Sequence, residues 1–295
     1  MKTRIKSIVG TKKITRAMQL VSAAKMRKAQ NATLASRAYS NLAWELIANL
    51  SANLQSSDSL LKIYPEAKKI GIVLLTSNGG LVGSLNANLA PKLKEISGTN
   101  TEVVSEVITY GKKAKIISLR MHKTITAEFT KIDKTLNTSD IYPLIQFVTD
   151  LYKTGEYQKI VLVYNHFVST LVQKPTVKQL LPFIREDIAK TSGNENANLN
   201  EAENFVDINQ SPYLFEPDPL KVLSHLLPRI VESQIYQAIL ESNASEQSAR
   251  MVMMKNATEA AGDLIDDLTL AFNQLRQSKI TTELAEITAG KIALE

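Results

Sequence analysis

Met254-Lys-Asn-Ala-Thr-Glu-Ala-Ala-Gly-Asp-Leu-Ile-Asp-Asp-Leu-Thr-Leu-Ala-Phe-Asn-Gln-Leu275 is the stretch that decides the fold. Met254, Ala257, Ala261, Leu264, Leu268, Ala271 and Leu275 are separated by alternate steps of three and four. That is the spacing of a heptad seam, so the segment predicts a long helix that needs a helical partner. Ile280, Leu284 and Ile287 extend the apolar pattern. At the other end of the chain Ile14, Ala17, Val21 and Ala24 repeat the spacing, and Tyr39, Leu42 and Leu46 prolong it. The alanines let two helices approach closely.

The breakers agree with this reading. All nine prolines fall between Pro65 and Pro228, and outside that window the only glycines are Gly10, Gly262 and Gly290. Breakers punctuate folds of many short elements, and long helices avoid them. Terminal helices of ~55–70 residues would be ~80–100 Å long, so most of each is expected to project from the middle of the chain. A helix that long does not stand alone in water. The two ends therefore predict an antiparallel coiled coil.

The middle reads as α/β. Lys69–Thr76 is a continuous apolar run and predicts a buried strand. Further strands are expected at Val103–Tyr110, Ile125–Thr130, Ile160–Tyr164 and Thr176–Phe183. Helices are expected at Leu85–Ile96, Lys112–Leu119 and Ser139–Tyr152. The alternation predicts a Rossmann-like, mostly parallel sheet. Residues 190–211 read as a surface loop. Asp218-Pro219 supplies the cap and first turn of the last helix, which Pro228 is expected to kink. The expected division is an N-terminal coiled-coil helix over 1–60, an α/β domain over 66–208 and a C-terminal coiled-coil helix over 209–295.

Charge is placed unevenly. The chain has 35 Lys+Arg and 29 Asp+Glu, a net +6. Ten of the basic residues, from Lys2 to Arg37, precede the first acid, Glu45. Everything after Arg37 is therefore net negative. The basic first helix and the acidic last one suit each other. Exposed pairs are worth only ~0.2–1 kcal/mol each, so they select a partner more than they hold it. The acid-free start also has the character of a transit peptide, but it is Lys-rich and its pattern runs on past Ala48. A start at Met1 without a removable leader favours a bacterial source, with a mitochondrial one as the alternative.

Chemistry is sparse. The chain has no Cys, which excludes disulfides, thiolate metal sites and a cysteine nucleophile. Gly79, Gly80 and Gly83 follow a strand and precede a helix, but match neither phosphate-loop pattern, so a plain tight turn is expected. His122, His166 and His225 stand apart from any ligand-spaced partner. Asp263, Asp266 and Asp267 read as a solvated helix face. No catalytic, cofactor-binding or metal site is expected. From spacing alone the chain is a coiled-coil protein with an adaptor-like or mechanical role, and a basic coiled-coil adaptor or nucleic-acid-binding protein is the alternative function.

Three motifs carry a resemblance. Lys13-Ile-Thr-Arg-Ala-Met-Gln-Leu-Val-Ser-Ala-Ala-Lys-Met-Arg-Lys28, Ala244-Ser-Glu-Gln-Ser-Ala-Arg-Met-Val-Met-Met-Lys-Asn-Ala-Thr258 and Arg276-Gln-Ser-Lys-Ile-Thr-Thr-Glu-Leu-Ala-Glu-Ile287 resemble, in order, motifs of the gamma subunit of F-type ATP synthases. Tyr213–Pro219 and Leu81–Asn86 resemble two more of its segments. The resemblance implies a non-catalytic central-stalk rotor. Its partners would be three alpha and three beta subunits, the epsilon subunit and the membrane c-ring, and it would couple ion flow to ATP synthesis or hydrolysis by rotation. It would be peripheral to the cytoplasmic face of a bacterial plasma membrane, or to the matrix side of a mitochondrial inner membrane. Met18, Arg250, Gln277, Thr281 and Glu283 would meet the catalytic subunits, and Tyr213 and Glu216 would form the foot at the c-ring and epsilon. Ile287, Ile292 and Leu294 would form an apolar bearing tip. Asn78-Gly79 stands where that family usually has Asp-Arg, and Val82 where it often has Cys. With no cysteine pair, thiol switching of the kind found in chloroplast members is excluded.

Overall fold

A computed structural model describes residues 1–52, 59–98, 103–132, 136–183, 216 and 218–292. The elements in chain order are α1 (Lys2–Ala52), β1 (Lys69–Leu75), α2 (Leu89–Gly98), β2 (Val104–Tyr110), α3 (Lys112–Arg120), β3 (Thr124–Phe129), α4 (Thr138–Lys153), β4 (Tyr157–Phe167), β5 (Gln173–Leu181) and α5 (Pro219–Ile292). The chain divides into two compact units, Met1–Ala24 with Arg250–Glu295, and Lys25–Ala249.

The larger unit is built on one sheet in the order β3-β2-β1-β4-β5. β1 pairs in parallel with β2 and β4, β2 in parallel with β3, and β5 runs antiparallel along β4. β1 is apolar at nearly every position because both faces are covered. Ile70, Ile72 and Leu74 join Val107, Val161 and Val163 beneath Leu89 and Leu93 of α2 and Ala114 of α3. Val73 and Leu75 join Ile108, Ile160 and Leu162 beneath α4 and the first turns of α5. Two-sided burial of this kind is what a continuous Val/Ile/Leu run signals.

Each predicted strand and helix of the middle has its counterpart, with shifted ends. α2 begins at Leu89 rather than Leu85. Asn86 turns its side chain back to accept from the Ser77 N–H at 3.2 Å, and Leu85 is buried in a small cluster with Val82 and Ala249. A side chain that serves the preceding turn competes with helix start. α4 is capped by Asn137, with Asp140 Oδ2 accepting from the Asn137 N–H at 3.0 Å. That reciprocal cap fixes its first turn. α5 stays helical through Pro228. The predicted 190–211 loop lies outside the described residues.

The smaller unit is an antiparallel helix pair. Thr258 Oγ1 lies 2.8 Å from Thr15 Oγ1, and a Cβ at Gly262 would stand 2.9 Å from Lys12 Nζ. One helix retreats three residues as the other advances four. The α1 seam is not the apolar stripe expected from the spacing. Thr15 and Ser22 are buried and Met18 and Gln19 half-buried, whereas Ile14 and Val21 are 62% and 55% exposed. On α5, Met254, Thr258 and Ala261 are buried and Ile265 and Leu268 half-buried, with Leu264 and Leu275 outside. The α1 stripe is turned by one residue, about 100° of helix, whereas the α5 seam keeps Met254, Ala261 and Leu268 of the expected stripe. Thr15 and Thr258 also lie 3.0 and 2.7 Å from the Lys12 and Met254 carbonyls of their own helices. Their hydroxyls can therefore be buried without losing a partner, which lets a polar seam replace an apolar one. The Gln19 Oε1 is buried with no hydrogen-bond partner.

Candidate functional site

In a parallel sheet a ligand site would lie beyond the carboxyl ends of the strands, where the order reverses between β1 and β4. Here that crevice is occupied by α5. Ser245 donates to the Asn165 carbonyl at 2.9 Å, and Asn165 Nδ2 donates to the Leu85 carbonyl at 3.2 Å. Ser248 donates to the Thr170 carbonyl at 2.6 Å. The polar groups that order the turn after β1 are engaged with one another. The Ser77 N–H goes to Asn86 Oδ1, the Lys112 N–H goes to Asn78 Oδ1 at 3.3 Å, and Asn78 Nδ2 donates to the Lys131 carbonyl at 2.8 Å. Gly79, Gly80 and Gly83 lie in this turn, and Asn78 helps to order it. Among the described residues no group of three His, Asp or Glu could hold a metal ion.

Two charge pairs tie α5 to the sheet domain. Lys131 Nζ bonds Glu246 Oε2, with side chains only 3% and 5% exposed. His166 Nδ1 lies 2.7 Å from Glu241 Oε2, and Gln237 Nε2 donates to Glu241 Oε1 at 3.2 Å. Burial pushes the Glu241 carboxyl up. The hydrogen bond and charge of His166 outweigh it and hold the group below the ordinary carboxylate range. Neither pair is legible in sequence, because the partners stand 115 and 75 residues apart.

The residues singled out in the sequence fall in several places. Met18 and Arg250 are half-buried in the helix pair. Gln277, Thr281 and Glu283 are exposed on α5. Thr281 donates within its own helix, 2.9 Å from the Gln277 carbonyl, and Glu283 pairs with Lys279 at 3.6 Å. Ile287 is 70% exposed. Ile292 ends α5, and its side chain and Leu294 lie outside the described residues, as does Tyr213. Glu216 is exposed. Ten residues back from Lys12 is Lys2, the first of α1, and ten on from Gly262 is Phe272. Phe272 is half-buried, and every residue from Asn273 to Ala289 is exposed. The last turns of α5 are thus left unaccompanied, with Leu275, Ile280, Leu284 and Ile287 bare.

A family model described as ATP synthase matches residues 1–294. An ATP synthase gamma chain of Roseiflexus sp. (strain RS-1) is 38% identical over 295 residues, covering 99% of this chain and 96% of the relative. The chain belongs to the ATP synthase gamma-chain family. The gamma chain of Pelotomaculum thermopropionicum is 37% identical over all of this chain and 98% of its own. A chain of the Euglena gracilis mitochondrial ATP synthase OSCP/F1/c-ring structure superposes with a TM-score of 0.65 at 18% identity, covering 99% and 93% of the two chains. One from the central stalk/c-ring structure of the Tetrahymena thermophila enzyme gives 0.59 at 21%, over 83% and 99%. At those identities the likeness speaks to the fold, and it is the fold described above. No helix among the described residues is long and apolar enough to cross a membrane.

Proposed function

We propose that this chain is the central-stalk rotor of an F-type ATP synthase. It forms no bond in the reaction. It turns within three alpha and three beta subunits, and joins them through the epsilon subunit and c-ring to ion flow across the membrane. The observation that carries this reading is the unaccompanied end of α5. Seventeen consecutive exposed residues with four bare large aliphatics are unstable in water alone and suit a surrounding protein sleeve. Gln277, Thr281 and Glu283 of α5 are polar and exposed, so they can exchange hydrogen-bond partners at low cost as the shaft turns.

The finer assignments follow from the same reading. Residues 1–60 and 209–295 are the shaft helices and 66–208 the α/β body. Met18, Arg250, Gln277, Thr281 and Glu283 meet the catalytic subunits. The acid-free start of α1 complements acidic loops there. Tyr213 and Glu216 stand at the c-ring, and Ile287, Ile292 and Leu294 form the tip. The complex is driven by protons or sodium ions, and lies at the cytoplasmic face of a bacterial plasma membrane or, failing that, on the matrix side of a mitochondrial one. Expression with alpha and beta subunits tests the role. The chain is expected to co-purify at one copy per hexamer, and removal of residues 276–295 to weaken the coupling of ATP hydrolysis to ion pumping. A chain that stays monomeric beside assembled alpha and beta would overturn it.

A further inference from the structure

α3 presents two different faces. Ala114 and Ser118 are buried; Ala114 joins the core around β1 and β2, and Ile117 and Met121 pack against it. At about 100° per residue, Lys112, Ile116 and Leu119 then point within about 40° of straight away from Ala114. Their burial agrees: Lys112 is exposed, and Ile116 and Leu119 are 40% and 57% exposed. Lys115 stands on one flank of this aliphatic ridge, and Lys113 and Arg120 stand on the other. Lys115 and Arg120 are exposed and Lys113 half-buried.

The charge around the ridge has one sign. From Val107 to Ala127 there are five basic residues and no acidic one, in a body that is net negative after Arg37. Lys115 is matched by Glu128 at 2.8 Å, and Lys123 Nζ donates to Ser105 Oγ at 3.0 Å. Among the described residues Lys112, Lys113 and Arg120 have no acidic partner. A merely solvated face has no use for two aliphatics at its crest, and a convex ridge offers no pocket to a small ligand. Cations on both flanks have stems long enough to stay at headgroup level while the ridge goes deeper. Lysine point charges suit a diffuse anionic surface better than a partner with fixed, paired acceptors.

We propose that the outer face of α3 docks on an anionic phospholipid surface. Ile116 and Leu119 enter the headgroup boundary, and Lys112, Lys113 and Arg120 meet the lipid phosphates. The proposal does not depend on the rotor role. It asks only for the full chain in solution.

The chain has no Cys, so Leu119→Cys can carry a single environment-sensitive nitrobenzoxadiazole probe. Leu171, in the turn between β4 and β5 and 78% exposed, supplies the matched control as Leu171→Cys. With phosphatidylglycerol vesicles a blue shift is expected at position 119 and none at 171. It should be absent with phosphatidylcholine and lost at about 1 M salt. The control separates α3 from the basic start of α1, which could adsorb the chain without placing position 119 in lipid. Adding Lys112→Gln/Lys113→Gln/Arg120→Gln should raise the lipid needed for half the shift by about tenfold or more. If circular dichroism shows that this variant has unfolded, Ile116→Gln, which keeps every charge, decides in its place by a rise in the same midpoint. No shift at 119, an equal shift at both positions, or an unchanged midpoint overturns the proposal. So does soluble polyglutamate that shifts the 119 probe as far as the vesicles do, since the face would then be a protein-docking site.

Discussion

Lys131→Met should be one of the most damaging single changes in the sheet domain. Lys131 and Glu246 are both almost wholly inaccessible, at 3% and 5% side-chain exposure. Each has lost its hydration, and the ion pair replaces part of it. Removing the lysine takes the buried ion pair from the Glu246 carboxylate, and breaking a buried pair on one side costs about 3–5 kcal/mol. The Lys131 main chain is held separately through its carbonyl by Asn78, so the backbone should stay in place and the loss should report the charge. Lys131→Met/Glu246→Leu removes both charges and is expected to return to within about 1 kcal/mol of the native chain. Because the chain has two compact units, a single global transition is the wrong readout. Hydrogen exchange of the amides of β4 and of α5 up to Ala249 reads the affected unit directly. The reasoning is refuted if Lys131→Met loses less than about 1 kcal/mol of protection, or if the double variant loses the sum of the two singles.

Further outcomes follow from other contacts. Gly111 has φ +96° and a Cβ there would lie 2.6 Å from the Thr76 carbonyl oxygen, so Gly111→Ala should cost about 2 kcal/mol or more in urea unfolding. Gln19→Leu removes a buried, unpartnered carbonyl oxygen and should slow exchange of the paired helix amides by the equivalent of about 1 kcal/mol. Thr15→Val/Thr258→Val should leave that protection unchanged or raised, because both partners are replaced together; a marked loss would show that the hydroxyl pair holds the helices. Glu241 is held below its unfolded value of about 4.3. Its contribution is therefore complete above that value and lost as pH falls through the lowered one, and Glu241→Gln should flatten acid unfolding only on that side.

How much was legible differs by element, for physical reasons. The sheet domain could be read because each strand carries its own signal: Ile70–Leu75 is apolar on both sides, and so is Ile160–Tyr164. The family motifs on α1 and α5 were legible because they are long and collinear. In the helix pair the α5 seam largely follows the spacing, and the α1 seam is rotated from it. Spacing picks out the most apolar stripe, and Ile14–Val21 is that stripe. Which stripe faces the partner depends on what else the surroundings can cover, and that is not written in one helix. The pairs Lys131–Glu246 and His166–Glu241 were invisible, since a lone lysine and a lone histidine gain meaning only when folding brings α5 beside the strand ends. Asn86 lies before α2 although its sequence setting is helical, because its side chain serves Ser77, nine residues earlier.

The rotated seam bears on what the helix pair can do. Two helices joined through Ile14 and Val21 would bury aliphatic surface and resist separation. Joined through Thr15, Gln19 and Ser22 against Met254, Thr258 and Ala261, they bury less of it on the α1 side, and the Thr15–Thr258 hydroxyl pair has a fallback. If the helices shift, each threonine keeps a carbonyl of its own helix within 3.0 Å, so no donor is left stranded and the contact can break and re-form at low cost. The apolar stripe is meanwhile left facing outward, where the pair alone gains nothing from it. A pair with a polar seam and an apolar exterior is therefore completed by whatever surrounds it. Its local stability should rise on assembly with a sleeve of other subunits, far more than that of the sheet domain, whose core is already closed on both faces.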